Sequence, residues 1–568
     1  MACTRREARL PTAADRGPED PLQVLLAEQV AAELAFSPVT ATWLGDHRYD
    51  DQLDDVRESS VQAEVARLRA LSARLERLSQ HRQDLDVQLL LARTRARLQE
   101  LDELRPHERN PLLYVAIAAH GIDGLLVPEL NEGRVRPLTR RLKAIPELCR
   151  HAQRNLKNPP ELLVRRAAEL AHGTASFLGS VLPRLLRSVT SDKLLDEALR
   201  AAEEARRALD DLSGWLTREM LPRARGDWAL GRQALAARLR WLELLDVPLE
   251  TVLAQAEARL REVRTQLEEA ARRVAGPGGR PIETALRLIE EDCPRPEELL
   301  RSMHEALTTA VEAVTRGDLL TLPTTRPRII EMPPHRWGYA TLYLPGPLET
   351  RPVEAVLMVD PVDPAWTDRR LVQEHLRALN RTQQLLLIAS QAVPGRFVQH
   401  QSLRQVLDRL PPVRQRWRSQ AFVEGWAHYA EGLLAEALQE PVRSRLQVLA
   451  LRAELIRLGR LVVVIRLHAG GGPPAARLEE AARYLTEECH LDDHTARREA
   501  ERAALDPLVM MAALGRMQLR QLVADLAARQ PQPALRTLHD AVLRQGELPV
   551  VALRRILLSE GAPHRPSP

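Results

Sequence analysis

The residues best equipped for chemistry gather in the last third of the chain. Glu424, His428 and Glu431 stand at i, i+4 and i+7, which sets two carboxylates and an imidazole along one stripe of a helix. Such a stripe can hold a metal ion or move a proton if a further ligand arrives from elsewhere. His400 and His468 are the candidates, and with Glu424 and His428 they would form a metal site. The plainer reading, a His428 hydrogen-bonded at a helix face, is the favoured one. Ser390 is a candidate nucleophile, but a serine needs a base within hydrogen-bond reach. The sequence offers only His400 and His428 for that base, both unplaced. Trp426 and Tyr429 read as core or cleft-wall residues ahead of substrate platforms. His335 and His375 carry no assignable role.

Ser390 and Arg396 invite a geometric test. They are six residues apart, about 240° on a helical wheel, so an unbroken helix would not present them together. Pro394-Gly395 lies between them and would break the helix, bringing the two side chains together. A Pro-Gly break has no use in a plain core helix, so the shape itself is informative.

The elements that must position these residues are helical. Leu22, Leu25, Leu26 and Val30 recur at amphipathic spacing, and the pattern returns over 59–79, 83–105, 160–188, 194–220, 228–246 and 249–275. Asn158-Pro159-Pro160 and Gly276-Pro277-Gly278-Gly279 punctuate it. One stretch differs. Between 319 and 361, prolines bound three β-type runs, Arg328 to Met332, Tyr339 to Leu344 and Val353 to Val359, which predict a small sheet. Helices then return, the first of them a long amphipathic one from Leu371 to Ser390, and continue to about Leu558. No fixed-length repeat is present. The expected fold is mainly α: a large irregular helical body with a cleft and one β insert. The expected division is a disordered tail over 1–20, an N-terminal helical region over 21–318, the sheet over 319–361, a C-terminal helical region over 362–558 that carries the candidate residues, and a disordered tail over 559–568. Together they would form one cleft-forming unit.

Composition narrows the class. The 568 residues are 45% hydrophobic and 28% charged, ordinary for a globular protein, with 81 basic against 77 acidic residues. Only Lys143, Lys157 and Lys193 are lysines, so the basic residues are nearly all Arg. Arg alternates with Glu, Ala and Leu, and aromatics are only 3%, a pattern of codon preference and not of a nucleic-acid surface. Cys3, Cys149, Cys293 and Cys489 are too scattered for a disulfide framework or a cysteine metal site. The N-terminus has no apolar core, and no stretch approaches the ~20 apolar residues of a membrane span. The expectation is a cytoplasmic protein without a nucleic-acid or membrane partner.

Three segments carry a resemblance: Ser390-Gln391-Ala392-Val393-Pro394-Gly395-Arg396, then Glu424-Gly425-Trp426-Ala427-His428-Tyr429-Ala430-Glu431, then Arg460-Leu461-Val462-Val463-Val464-Ile465-Arg466-Leu467-His468. They resemble the bacterial domain of unknown function 885 family, whose members look like gluzincin-type zinc peptidases with motifs H-E-A-x-P-G-H, E-G-W-A-x-Y-A-E and R-L-V-V-D-T-G-x-H. Pro38 to His47 and the helix bearing Glu374-His375-Leu376-Arg377 are similar as well, so the resemblance covers nearly the whole chain after the tail. It implies a zinc held by two His and a Glu, with a Glu as general base. Matched residue by residue, Ser390 and Arg396 stand at the His positions and Gln391 at the base, while Glu424 survives as a remnant ligand. Serine is a poor zinc ligand, glutamine cannot shuttle a proton, and arginine offers no lone pair. Val464 and Arg466 replace Asp and Gly of the third motif, although His468 remains.

The resemblance therefore implies a pseudoenzyme without zinc. A buried Glu424 deprived of its metal would be uncompensated, and Arg396 is the cation that could replace it, which predicts an Arg396–Glu424 ion pair. The expected ligand-binding residues are Arg396, Glu424, Trp426, His428, Tyr429, Arg466 and His468, and the expected partner is a peptide-like or small ligand, or another protein. The alternatives are an active hydrolase or transferase with a relocated metal or a non-metal mechanism, and an interaction protein whose cleft has closed.

Overall fold

Helices with apolar stripes make up most of the chain, as the periodicity requires, in a computed structural model that describes residues 20–559 apart from 83, 191, 334, 335, 337, 364, 365, 530 and 533. The two expected tails lie almost wholly outside the described residues, and so does His335. The first helix, α1 (Pro21–Phe36), is capped by Asp20, whose carboxylate accepts the Leu22 amide at 3.1 Å. α2 (Pro38–Leu44) follows at a bend of 112°. No single helix among the described residues is long and apolar enough to cross a membrane, although this bent pair is when taken together. Leu22, Leu25 and Leu26 of α1 are spent in the protein core.

α3 (Glu132–Asn155) and α4 (Glu161–Ser180) both pack on α5 (Asp192–Trp215), around Leu138, Leu142, Ala167, Ala171, Ala201 and Ala205. The alanines let the helices approach closely, and the leucines fill what remains. α6 (Leu249–Ala275) belongs to a second, larger core, in which it packs on a C-terminal helix. The boundary at 318 is therefore one of sequence composition and not of packing.

The small sheet forms where it was expected, with shorter strands: β1 (Arg328–Glu331), β2 (Ala340–Tyr343) and β3 (Val356–Val359). β3 is central, parallel to β1 and antiparallel to β2, with Leu357 opposite both Ile329 and Leu342. All four of its residues are buried, which is why it reads as the unbroken apolar run Val-Leu-Met-Val.

The single helix expected from Leu371 to Ser390 is two helices, α7 (Arg369–Ala378) and α8 (Arg381–Gln391). Asn380 is the reason. Its side chain accepts the Gln383 amide at 2.9 Å, making it the N-cap of a new helix. α9 (Arg396–Val406), α10 (Gln420–Ala437), α11 (Val442–Ala469) and α12 (Met511–Ala527) complete the frame around the candidate residues. α10 starts at Ser419, which accepts the Phe422 amide at 3.0 Å and donates to the buried Glu243 carboxylate at 2.5 Å.

α10 and α12 touch backbone to backbone. A Cβ placed on Gly515 would lie 1.7 Å from the Ala421 carbonyl oxygen, and one on Gly425 would lie 2.5 Å from the Gly515 carbonyl carbon. Neither obstacle is a side chain that can swing aside. Gly515→Ala should therefore cost about 3 kcal/mol of stability, the upper range for overpacking. Denaturant unfolding of the variant beside the parent measures this, and an unchanged midpoint would refute the contact.

Candidate functional site

The turn that joins α8 to α9 is built by close backbone approach. A Cβ at position 395 would fall 2.0 Å from the Ser390 carbonyl oxygen, so only glycine lets the chain fold back there. Trp426 on α10 fixes the turn from outside, its indole N–H donating to the Pro394 carbonyl at 3.1 Å. Arg396 opens α9 and meets Glu424 of α10 in an ion pair through Nη2 and Oε1. The two side chains are 26% and 29% exposed, so water only partly screens them.

The expected meeting of Ser390 and Arg396 does not take that form. The Ser390 hydroxyl is buried and donates back to its own helix, toward the Leu386 and Leu387 carbonyls at 3.1 and 3.2 Å. Gln391 ends α8, half-buried. The turn brings Gly395 against Ser390 while Arg396 turns to α10.

The remaining stripe of α10 is structural. Glu431 is buried, accepts both Arg457 Nη atoms from α11 at 2.6 and 2.9 Å, and lies 3.1 Å from His428 Nδ1. Burial pushes its carboxyl up, but Arg457 and His428 outweigh burial and hold it down at about 2. Burial likewise lowers the His428 pKa. Arg516 of α12 donates to the His428 carbonyl at 2.7 Å and binds Glu454 of α11 at 2.6 Å. Arg259 of α6 reaches the same Glu454 at 2.9 Å.

Four of the expected ligand-binding residues are otherwise employed. Trp426 is fully buried. The Tyr429 hydroxyl donates to His539 Nε2 at 3.0 Å, because Nδ1 of that ring donates to the Leu319 carbonyl at 2.7 Å. Arg466 pairs with Glu257 at 2.8 Å and lies over the Tyr484 ring, apart from the Arg396 site. His468 donates through Nε2 to the Ala503 carbonyl at 3.0 Å and accepts the Leu230 amide at Nδ1 at 3.3 Å. Both ring nitrogens are thus used, and burial pushes the imidazole pKa down to about 4. Compositional motifs placed these residues near the site; the helix faces they occupy send them elsewhere.

This donor set does not fit a zinc ion. Glu424 presents its carboxylate at the turn, and its partner there is a guanidinium. His400 donates through Nε2 to the Pro345 carbonyl at 3.0 Å, away from His428 and His468, so the relocated site does not assemble either. No group of three or more His, Cys, Asp or Glu side chains among the described residues converges to hold a metal.

What the turn does border is a cavity of about 400 Å³, lined by Arg396, His400, Arg404, Trp417 and Glu547 among others. The loop Pro345-Gly346-Pro347 walls one side. That loop is held by the end of α2 and the segment after it, where Leu348 N–H donates to the Leu44 carbonyl at 2.8 Å and His47 Nε2 meets Glu349 at 2.8 Å. A second cavity of about 430 Å³, lined by Glu33, Arg97, Arg238 and Glu243, adjoins it through Leu44, Pro347 and Arg416 to Arg418. Burial pushes the Glu243 carboxyl up to about 7. In the first cavity Glu547 accepts Gln399 Nε2 at 3.1 Å and Arg418 Nη1 at 2.9 Å, and burial raises its pKa. The sequence reading missed Arg404, Arg416, Arg418 and Glu547. The alternation Arg414-Gln415-Arg416-Trp417-Arg418 was the available signal, since it interleaves cations with a large aromatic.

The family model for a bacterial protein of unknown function (DUF885) matches residues 38–557. No curated protein matches the sequence. Among solved structures, the "putative lipoprotein of unknown function" from Shewanella oneidensis is similar over 95% of this chain and 100% of its own, at 16% identity and a TM-score of 0.76. The "putative lipoprotein" from Colwellia psychrerythraea is similar over 94% and 98%, again at 16% identity and a TM-score of 0.76. At that identity the likeness shows the fold.

A structural His468 has a pH signature. Its pKa in the folded chain, about 4, lies below the ordinary 6.5, so the neutral ring favours the fold. The stabilisation is complete above about pH 6.5 and lost as pH falls toward 4, about 3 kcal/mol in all. His468→Gln should lower stability at pH 8 and flatten the decline between pH 6.5 and 4. An equally steep decline in the variant, measured by denaturant unfolding across pH, would contradict the assignment.

Proposed function

The chain belongs to the bacterial family of unknown function DUF885, and from that premise we propose that it is a ligand-binding member, a pseudoenzyme that does not carry out metal-dependent hydrolysis. The observation that carries this reading is the Arg396–Glu424 ion pair at the turn between α8 and α9. In the zinc-peptidase arrangement that the motifs resemble, a dication would sit where Glu424 presents its carboxylate. Here a guanidinium supplies the positive charge and brings no open coordination position for water. Without such a position no hydroxide is generated at neutral pH.

Two adjoining cavities of about 430 and 400 Å³ support an open cleft over a closed one, and each is of the size that holds a small molecule or a few residues of peptide. No observation favours the non-metal hydrolase, since the Ser390 hydroxyl is turned to its own helix. A cytoplasmic location belongs to the same proposal, and cell fractionation checks it; the description as lipoproteins belongs to the two structural neighbours.

Metal analysis of purified protein after incubation with zinc and dialysis should find no stoichiometric metal, and peptidase assays should find no turnover. One zinc per chain in the parent protein would overturn the proposal. The combined variant Ser390→His, Gln391→Glu and Arg396→His should bind about one zinc per chain, because it frees Glu424 and restores the two imidazoles. A folded variant with no zinc would show that the scaffold never supported the site.

A further inference from the structure

The cavity beside Arg396 is electrostatically lopsided. Arg336, Arg396, Arg404, Arg416 and Arg418 line it against a single lining carboxylate, Glu547. Three of the five are answered: Arg336 by Asp123 at 2.8 Å, Arg396 by Glu424, and Arg418 by Glu547 at 2.9 Å. Two are not. Arg416 and Arg404 make no ion pair among the described residues. Among the described residues, the one hydrogen bond from the half-buried Arg416 guanidinium runs 3.5 Å to the Pro412 carbonyl, and its buried Nε has no partner there. Arg404 stands exposed on α9.

A half-buried cation without a counter-charge is costly, and burial together with the charge of Arg93 lowers the Arg416 pKa accordingly. Codon preference explains many arginines but not two unpaired ones converging on one cavity. Apart from His400, Gln415, Thr341 and Tyr343, the rest of the lining is apolar, with Trp43, Leu342, Leu403 and Trp417 contributing. A planar guanidinium matches a carboxylate in two parallel hydrogen bonds, and an apolar wall rewards a carbon body attached to that carboxylate. A volume of about 400 Å³ suits a molecule well beyond a bare inorganic ion.

We infer that this cavity binds an organic acid, a carboxylate carried on an apolar or aromatic body, with Arg416 and Arg404 holding the carboxylate. The C-terminal carboxylate of a short apolar peptide and a free aromatic acid share this chemistry. The inference rests on the open-cleft reading above and names the ligand class it takes.

Isothermal titration with N-acetyl-leucyl-phenylalanine, its C-terminal amide, phenylacetate and inorganic phosphate tests it. Both acids should bind at least about tenfold more tightly than the amide, the factor expected of one charge-assisted pair. Tighter binding of the peptide acid points to a peptide terminus, and tighter binding of phenylacetate to a free acid. Arg416→Gln should remove most of that preference. Arg404→Gln, at an exposed position that leaves folding untouched, should weaken both acids about tenfold and leave the amide unaffected. Equal affinity for peptide acid and amide would overturn the inference while leaving the cleft reading in place. Phosphate binding as tightly as the acids would overturn it too, because the apolar body would then contribute nothing. If none of the four binds up to millimolar concentration, the inference and the cleft reading fail together.

Discussion

Two buried carboxylates govern how the C-terminal helices sit. Glu431 on α10 and Glu454 on α11 are both almost wholly removed from water, and an isolated carboxylate there would cost several kcal/mol or more. Arg457, Arg516 and Arg259 answer them from α11, α12 and α6, so four helices are bound by charge as well as by packing. The demand is geometric. A guanidinium must reach a fixed carboxylate, so the helices are held in rotation and register as well as in proximity. The glycine contact between α10 and α12 follows from the same arrangement, since Arg516 sits one residue beyond Gly515 and can reach His428 and Glu454 only if the two backbones nearly touch.

With α10 fixed, the turn before α9 has one place to go. The Trp426 indole holds the Pro394 carbonyl, and Glu424, two residues earlier on α10, waits for Arg396 at the start of α9. The motif around Glu424 thus has two layers. Gly425, Trp426 and Glu431 place the helix and the turn, whereas Glu424 is the member that reaches across to Arg396. The first layer does not depend on the second, because its contacts run to Gly515, Pro394 and Arg457 and not through Arg396. The family model spans 38–557 and the fold likeness covers nearly the whole chain at 16% identity, so the scaffold tolerates wide change in sequence.

The helices and the small sheet were legible because apolar periodicity is local, and the 249–275 helix matches its expected bounds. The pairing of Arg396 with Glu424 was legible through charge compensation across two motifs. What escaped was set by other forces. The break at Asn380 depended on a side-chain cap competing with helix continuation, which a hydrophobic pattern does not display. His468 and Arg466 sit on α11 near its end, and the rotation of that helix, imposed by its packing on α6, carries them to Trp228 and Glu257. The arginine-lined cavity draws on Arg336, Arg404 and the pair Arg416 and Arg418, three separate parts of the chain that no single spacing rule joins. Only the alternating Arg and Trp over 414–418 left a local trace.

A guanidinium as the positive partner of Glu424 decides who controls the charge at that position. A zinc centre is filled from the surroundings and empties when chelators, acid or scarcity compete for the ion. Arg396 is synthesised with the chain and needs no uptake from outside. The positive end of the Arg396–Glu424 pair is therefore present in every molecule from the moment it folds, whatever the metal supply. A cleft built this way would keep one electrostatic state, where a site filled by a metal ion would switch between loaded and empty.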